Sequence, residues 1–105
     1  MEEVLYDTSA LISLLKSGKR EARGFTTLLN AVGFPKALDL EKLGVLYPAV
    51  EDYDVLKMAF FLVKIGKHVP AVNVVIAAMC LRRGLLLLTS DIHFAHIKLV
   101  RSEFN

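Results

Sequence analysis

Three polar side chains that carry oxygen atoms border apolar segments at widely separated points of the chain. Asp7 comes directly after VLY, Asp91 follows LLLLTS, and Asn73 lies in the first turn of the predicted helix that leads into LLLL. Short apolar runs are typical of buried parallel strands, whose carboxyl ends meet at one edge of a sheet. Carboxylate and amide oxygens there suit Mg²⁺ or Mn²⁺, which can activate water against a phosphodiester. The sequence therefore predicts Asp7, Asn73 and Asp91 as metal ligands, with the two aspartates as catalytic residues.

Helix capping is the alternative explanation for both aspartates. Asp7 and Asp91 each precede a predicted helix, where a carboxylate accepts hydrogen bonds from the backbone N–H groups of the first turn. The neighbouring hydroxyls of Thr8, Thr89 and Ser90 are candidates for orienting a metal-bound water or binding a substrate phosphate. Capping, or bonding to strand-end backbone groups, is the more frequent role of such hydroxyls.

The basic segment KSGKREARG carries further candidates for substrate binding. Lys19, Arg20 and Arg23, with Lys16 before them, would hold an RNA backbone, because phosphate contacts carry much of the affinity in such complexes. A solvated surface loop explains the same composition equally well.

Two histidines follow Asp91 closely in the sequence. His93 and His96 have the i, i+3 spacing that permits a transition-metal or acid–base role. Packing of a short helix by these residues is the favoured interpretation.

Short apolar strands that alternate with helices determine the predicted fold. VLY leads into a helix that starts near Thr8 and stops at Gly18, and Thr26 or Thr27 caps a second helix. GVLYP and LLLL are further strands, one helix runs through DVLKMAFFLVKI, another spans residues 71–83, and KLV is a candidate edge strand. This alternation predicts an α/β protein, a three-layer α/β/α sandwich with a central, mainly parallel sheet.

Length and composition limit the class of protein. The chain has 105 residues and is predicted to form one domain, residues 1–105. A hydrophobic content of 54% and a mean hydropathy of +0.48 predict apolar surface covered by a partner, most simply a second copy in a homodimer. The net charge of +2 permits nucleic-acid binding without requiring it.

Cysteine usage and the apolar segments indicate the compartment. The single cysteine, Cys80, cannot form an internal disulfide, which favours a reducing cytoplasm. The longest apolar segment, residues 69–81, is shorter than the roughly 20 residues that a membrane span needs. MEEVLYD lacks the pattern of a signal peptide. We therefore predict a cytoplasmic protein without membrane contact.

Three motifs together resemble a known family. VLYDTSALISLL, FTTLLNAVGFPKAL and VPAVNVVIAAMCLRRGLLLLTSDIHF, in this order over nearly the whole chain, are similar to the PIN domain, in particular to the small VapC-type ribonucleases of toxin–antitoxin pairs. The resemblance implies a PIN-like fold, an antitoxin protein as partner, and a magnesium site that cleaves RNA. It places the first and fourth carboxylates of that site at Asp7 and Asp91.

The two middle carboxylates that this resemblance implies are absent. The glutamate of the second motif falls on Gly33, and the aspartate expected before IAA is Asn73. Two unit charges about 4 Å apart at an effective dielectric near 20 attract by roughly 4 kcal/mol, so losing two carboxylates weakens Mg²⁺ or Mn²⁺ binding by several kcal/mol. Asn73 keeps one carbonyl oxygen. At most a single weak metal site is therefore expected.

Two functions are compatible with these residues. The first is a Mg²⁺- or Mn²⁺-dependent endoribonuclease of toxin–antitoxin type with a depleted acidic site and weak activity. The alternative is a catalytically inactive PIN fold that binds RNA or protein. A phosphoacceptor receiver domain also places an aspartate at strand ends, but it needs adjacent acids after the first strand and a lysine after the last. DTS and TSD supply neither.

Overall fold

A parallel β-sheet forms the centre of the molecule. The computed structural model describes residues 3–49, 52, 57, 66, 69–96 and 102–104. The strands are β1 (Val4–Tyr6), β2 (Glu21–Thr27), β3 (Glu41–Leu46), β4 (Leu86–Thr89) and β5 (Ser102–Phe104). They lie side by side in the order β3-β2-β1-β4-β5, and every neighbouring pair is parallel. The predicted parallel sheet is therefore confirmed.

Helices connect these strands and pack on both faces of the sheet. They are α1 (Thr8–Lys16), α2 (Leu28–Gly33) and α3 (Ala71–Arg83), with 3₁₀ helices at Pro35–Asp39 and Ile92–His96. Of the two predicted caps of α2, Thr26 and Thr27, Thr27 is the N-cap. Gly84 ends α3 in the left-handed conformation that favours glycine. Within the described residues, none of the helices has the length and apolar character that a membrane crossing requires.

Two hydrophobic clusters separate the three layers of the sandwich. Leu5 and Leu87 point to one face of the sheet and pack against Val74, Ala77 and Cys80 of α3. On the other face, a second cluster joins α1, the first 3₁₀ helix and the strands; its buried members are Leu11, Ala22, Ala37 and Leu40. Because successive strand residues point to opposite faces, β1 contributes Leu5 to the first cluster and Tyr6 to the second. The predicted α/β/α sandwich is confirmed.

The strand order reverses direction between β1 and β4. From β1 the chain moves outward to β2 and β3, and then crosses back to β4 on the other side of β1. At such a reversal the connections leave the carboxyl ends of two neighbouring strands in opposite directions, which opens a crevice between them. Asp7 and Asp91 follow these two strand ends, at Tyr6 and Thr89.

Four sequence predictions differ from the structure or lie outside its described part. The composition of KSGKREARG predicts a loop, but its last four residues, from Glu21 to Gly24, belong to the seven-residue strand β2. The strand predicted at GVLYP begins earlier, at Glu41, and ends at Leu46. The predicted strand KLV and most of the predicted helix through DVLKMAFFLVKI lie outside the described residues.

Candidate functional site

Asp7 lies at the junction between β1 and α1 and is buried. Its carboxylate accepts hydrogen bonds from the Ala10 backbone N–H at 3.0 Å, from the Ser9 hydroxyl at 2.6 Å and from the Thr89 hydroxyl. The first of these bonds makes Asp7 the N-cap of α1, so the capping role considered from the sequence is present. The bond from Thr89 ties the end of β1 to the end of β4.

Asp91 follows β4 and is half-buried. Its Oδ2 accepts a hydrogen bond from Asn73 Nδ2 at 2.9 Å, and its Oδ1 accepts from the His93 backbone N–H at 3.0 Å and the His93 ring Nδ1 at 2.7 Å. Burial alone raises the pKa of this carboxyl, but the bonds from Asn73 and His93 outweigh that effect and hold the pKa below its usual value. Asp91 is therefore an ionised group with its negative charge already solvated by the protein.

The predicted metal ligands line one cavity of about 300 Å³. Its polar lining contains Asp7, Asn73 and Asp91, so the structure brings the three predicted side chains together. A hydrogen bond of 2.8 Å from the Ser90 backbone N–H to the Ser9 hydroxyl links the segment after β4 to α1. The full lining is Asp7, Thr8, Ser9, Ile12, Asn30, Val72, Asn73, Ile76, Asp91 and Phe94.

The three predicted hydroxyls take different positions. Thr8 lines the cavity, where its oxygen accepts a hydrogen bond from Asn30 Nδ2 at 3.0 Å. Thr89 is fully buried and donates to Asp7, and its oxygen also accepts from the Asp91 backbone N–H at 2.9 Å. Neither Thr89 nor Ser90 is among the residues that line the cavity. Of the three predicted hydroxyls, Thr8 is thus the one that lines this space.

Asn30 is a cavity residue that the sequence analysis missed. It is 5% exposed, accepts a hydrogen bond from the Thr27 hydroxyl at 2.7 Å and donates to Thr8. Gly33, one turn later on α2, is exposed and does not line the cavity. Asn30, and not Gly33, is therefore the residue of α2 that lines the cavity. The available signal was T-x-x-N, since a threonine cap is often followed three residues later by a glutamate or glutamine.

The basic segment lies away from the cavity. The pairing of Leu5 with Phe25 sets Thr27 level with Asp7 across the sheet. Arg20 and Arg23 precede Thr27 by seven and four residues, which corresponds to about 23 Å and about 13 Å along a strand. Lys19 and Arg20 lie at the amino-terminal edge of the sheet, and Arg23 lies within β2. The structure therefore separates these predicted RNA contacts from the candidate site.

The donor set does not fit the magnesium site that the sequence resemblance implies. Mg²⁺ and Mn²⁺ favour carboxylate oxygens and water, whereas this cavity has two carboxylates and two amides. Each carboxylate already accepts three hydrogen bonds from the protein. The described residues contain no group of three or more His, Cys, Asp or Glu arranged to hold a metal. His93 contacts Asp91 but does not line the cavity.

Comparison with known proteins identifies the fold. Neither the protein-family models nor the curated proteins give a match. The structure superposes on a chain of VapBC-1 from nontypeable Haemophilus influenzae with a TM-score of 0.77, 18% identity and 96% of both chains covered. For DNA-bound VapBC from Salmonella typhimurium the TM-score is 0.81 at 18% identity, covering 99% of this chain and 98% of the other.

A third structure shows the same likeness. VapBC2 from Rickettsia felis, bound to a DNA fragment from its promoter, gives a TM-score of 0.81 at 12% identity, with 96% of this chain and 97% of the other covered. Together with the strand order and the position of the cavity, these superpositions show that the chain has the PIN-domain fold of VapC-type proteins.

Proposed function

We propose that this chain is a VapC-like protein of toxin–antitoxin type that binds an antitoxin-like protein and has lost efficient metal-dependent RNA cleavage. The observation that carries the proposal is the composition of the cavity. Asn30 and Asn73 stand with Asp7 and Asp91 around one space where the family resemblance implies four carboxylates.

The electrostatic effect of these amides is large. A divalent cation about 4 Å from a carboxylate gains roughly 8 kcal/mol at an effective dielectric near 20, of which desolvation removes a large part. Replacing two carboxylates by neutral amides therefore weakens cation binding by several kcal/mol. Since about 1.4 kcal/mol is a factor of ten, this corresponds to a dissociation constant at least about a hundredfold higher. A cation at cellular concentration does not fill such a site.

Retained partner binding is supported by the neighbouring structures and by the cavity's surroundings. All the superposed chains above come from VapBC complexes. Val72, which lines the cavity, and Ile92, which follows Asp91, are 48% and 76% exposed. Exposed apolar side chains beside a cavity are typical of protein interfaces. A homodimer, predicted from the composition, stays part of this proposal.

A weak Mg²⁺- or Mn²⁺-dependent endoribonuclease is the second candidate function. It is favoured by the shared cavity of Asp7 and Asp91, the two acids that the resemblance assigns to catalysis. In this function Asn73 contributes a carbonyl oxygen, and RNA is the substrate.

An RNA-cleavage assay with Mn²⁺ separates the two functions. The parent chain is compared with N30E/N73D, which restores both acids, and with G33E/N73D, which adds the same charges but places one outside the cavity. We expect little or no cleavage by the parent and by G33E/N73D, and a gain of about a hundredfold in N30E/N73D, because only that variant has all four carboxylates around the cavity. Circular dichroism verifies that all variants are folded.

The opposite result would identify an active nuclease. If the parent cleaves RNA as fast as N30E/N73D and loses that activity in D7N, the site works with two carboxylates and the proposal is wrong.

A further inference from the structure

We infer that the Asn73 amide takes the place of a divalent cation beside Asp91, so that the cavity is held together without a metal ion. The inference rests on the proposed function, in that both take the acidic PIN site as the reference. It concerns the stability of the folded protein, however, and can be right or wrong independently of whether the protein cleaves RNA.

The orientation of the Asn73 side chain is determined by its partner. Asn73 is 9% exposed, and its Nδ2 lies 2.9 Å from Asp91 Oδ2. An ionised carboxylate only accepts hydrogen bonds, so the nitrogen of the amide, not its oxygen, must face Asp91. The group that approaches Asp91 from α3 is therefore a donor with partial positive charge, where an aspartate would present a second negative oxygen.

The two carboxylates also accept hydrogen bonds from other groups of the protein. Asp91 Oδ1 accepts from the backbone and ring of His93, and Asp7 accepts from Ser9, Ala10 and Thr89. Two carboxylates therefore receive six donated hydrogen bonds. A carboxylate solvated in this way does not need a cation for its burial to be tolerated.

The second amide completes a chain of contacts around the cavity. Asn30 joins α2 to α1 through Thr8, and Asn73 joins α3 to the segment after β4 through Asp91. A cation in an acidic site bridges such elements by binding an oxygen from each. Here neutral amides supply the links, and the cavity has two like-charged carboxylates, Asp7 and Asp91, instead of four.

Changing Asn73 to aspartate tests this role with almost no change of shape. N73D places a carboxylate at hydrogen-bond distance from Asp91, where two negative charges repel and one hydrogen bond is lost. N73S removes the amide without adding charge. L38D adds one negative charge at a 63% exposed side chain in the first 3₁₀ helix, outside the cavity lining.

The experiment is thermal unfolding of these four proteins in chelator and in millimolar Mn²⁺, with direct Mn²⁺ titration of the parent. We expect the parent's Tm to agree within about 1 °C between the two conditions, and the titration to show no bound ion. N73D should melt about 5 °C or more below the parent in chelator and regain most of that loss in Mn²⁺. N73S should melt lower in both conditions, and L38D should not respond to Mn²⁺.

Two results would overturn the inference. One is a parent Tm that rises by several degrees in Mn²⁺, or stoichiometric binding in the titration, which needs no variant to fold. The other is an N73D protein as stable as the parent in chelator. A parent that binds Mn²⁺ but cleaves no RNA refutes the inference alone, whereas cleavage by a parent without Mn²⁺ response refutes the proposed function alone.

Discussion

Asp52 is a buried carboxylate that connects the segment after β3 to the end of α3. It accepts hydrogen bonds from Arg82 Nε at 2.7 Å, from Arg83 at 3.2 Å and from the Ala49 backbone N–H at 2.6 Å. Burial alone raises the pKa of this carboxyl, but these bonds outweigh it and hold the pKa below its usual value. The two arginines at the end of α3 therefore have a structural partner besides the helix dipole.

Replacing Asp52 by asparagine should destabilise the fold. We expect D52N to lower the free energy of unfolding by about 2 kcal/mol, because two charge-assisted bonds weaken and the arginines lose their counter-charge. Urea denaturation followed by circular dichroism measures this value. D39N, at an exposed aspartate, is the matched control and should leave the urea midpoint unchanged. Equal midpoints for D52N and the parent would show that the Asp52 cluster contributes no stability.

Much of the candidate site could be predicted from individual residues, but not all of it. Asp7 and Asp91 were found because each follows a recognisable apolar strand directly. Asn73 was found because α3 begins just before it. Asn30 was missed because its place on the cavity depends on where α2 starts, and an internal Thr26-Thr27 pair leaves that start ambiguous by one residue. The resemblance places the missing glutamate at Gly33, one helical turn after Asn30, and Gly33 is exposed.

At the scale of the elements, β2 is the part that the sequence did not predict. A half-buried strand is recognised by strict alternation of apolar and polar residues, and EARGFTT lacks it. The structure shows the reason. The pairing with β3 shifts register between Glu21 and Gly24, so β2 is irregular at its start. Its apolar residues Ala22 and Phe25 are three positions apart and pack on opposite faces of the sheet, so they form no alternating row on one face. Tertiary pairing, not local pattern, makes this segment a strand.

Gly24 in β2 permits the close approach of β1. Its φ is +155°, and a Cβ added there would lie 2.7 Å from the Val4 carbonyl oxygen and 2.9 Å from Val4 Cγ2. Because β1 ends directly before Asp7, any separation of these two strands also shifts the candidate site.

G24A should therefore be destabilised strongly. We expect a loss of about 2 kcal/mol or more, since the shortest contact is with a backbone carbonyl oxygen that cannot rotate away and the backbone conformation favours glycine. G33A is the matched control, because a Cβ at Gly33 meets nothing within 4 Å, and alanine in a helix should stabilise by up to about 1 kcal/mol. Denaturant midpoints measure both effects. A G24A protein with the parent's midpoint would show that β1 and β2 can separate at no cost.

At the scale of the whole molecule, the order of the strands was the least accessible property. Apolar runs indicate which segments are strands and that the sheet is parallel, but they do not say which strands are neighbours. The order β3-β2-β1-β4-β5 is known from the structure, which superposes on chains of VapBC complexes over nearly its whole length. The reversal of strand order at β1 and β4 brings Asp7 and Asp91 to one cavity although 83 residues of sequence lie between them.

The stability of the whole molecule should fall in acid. Asp52 and Asp91 both have a pKa below the usual aspartate value of 3.8 in the folded protein. The unfolded chain therefore binds protons more readily, so the stabilisation from both groups is full above about pH 5 and is lost as the pH falls below about 4. We expect Tm to be nearly constant from about pH 7 to 5 and to drop steeply below about pH 4. The D52N protein, which lacks one of these groups, should start lower and lose less on acidification. A Tm that is unchanged or higher at about pH 3 would show that these carboxylates are not stabilised in their ionised form by the fold.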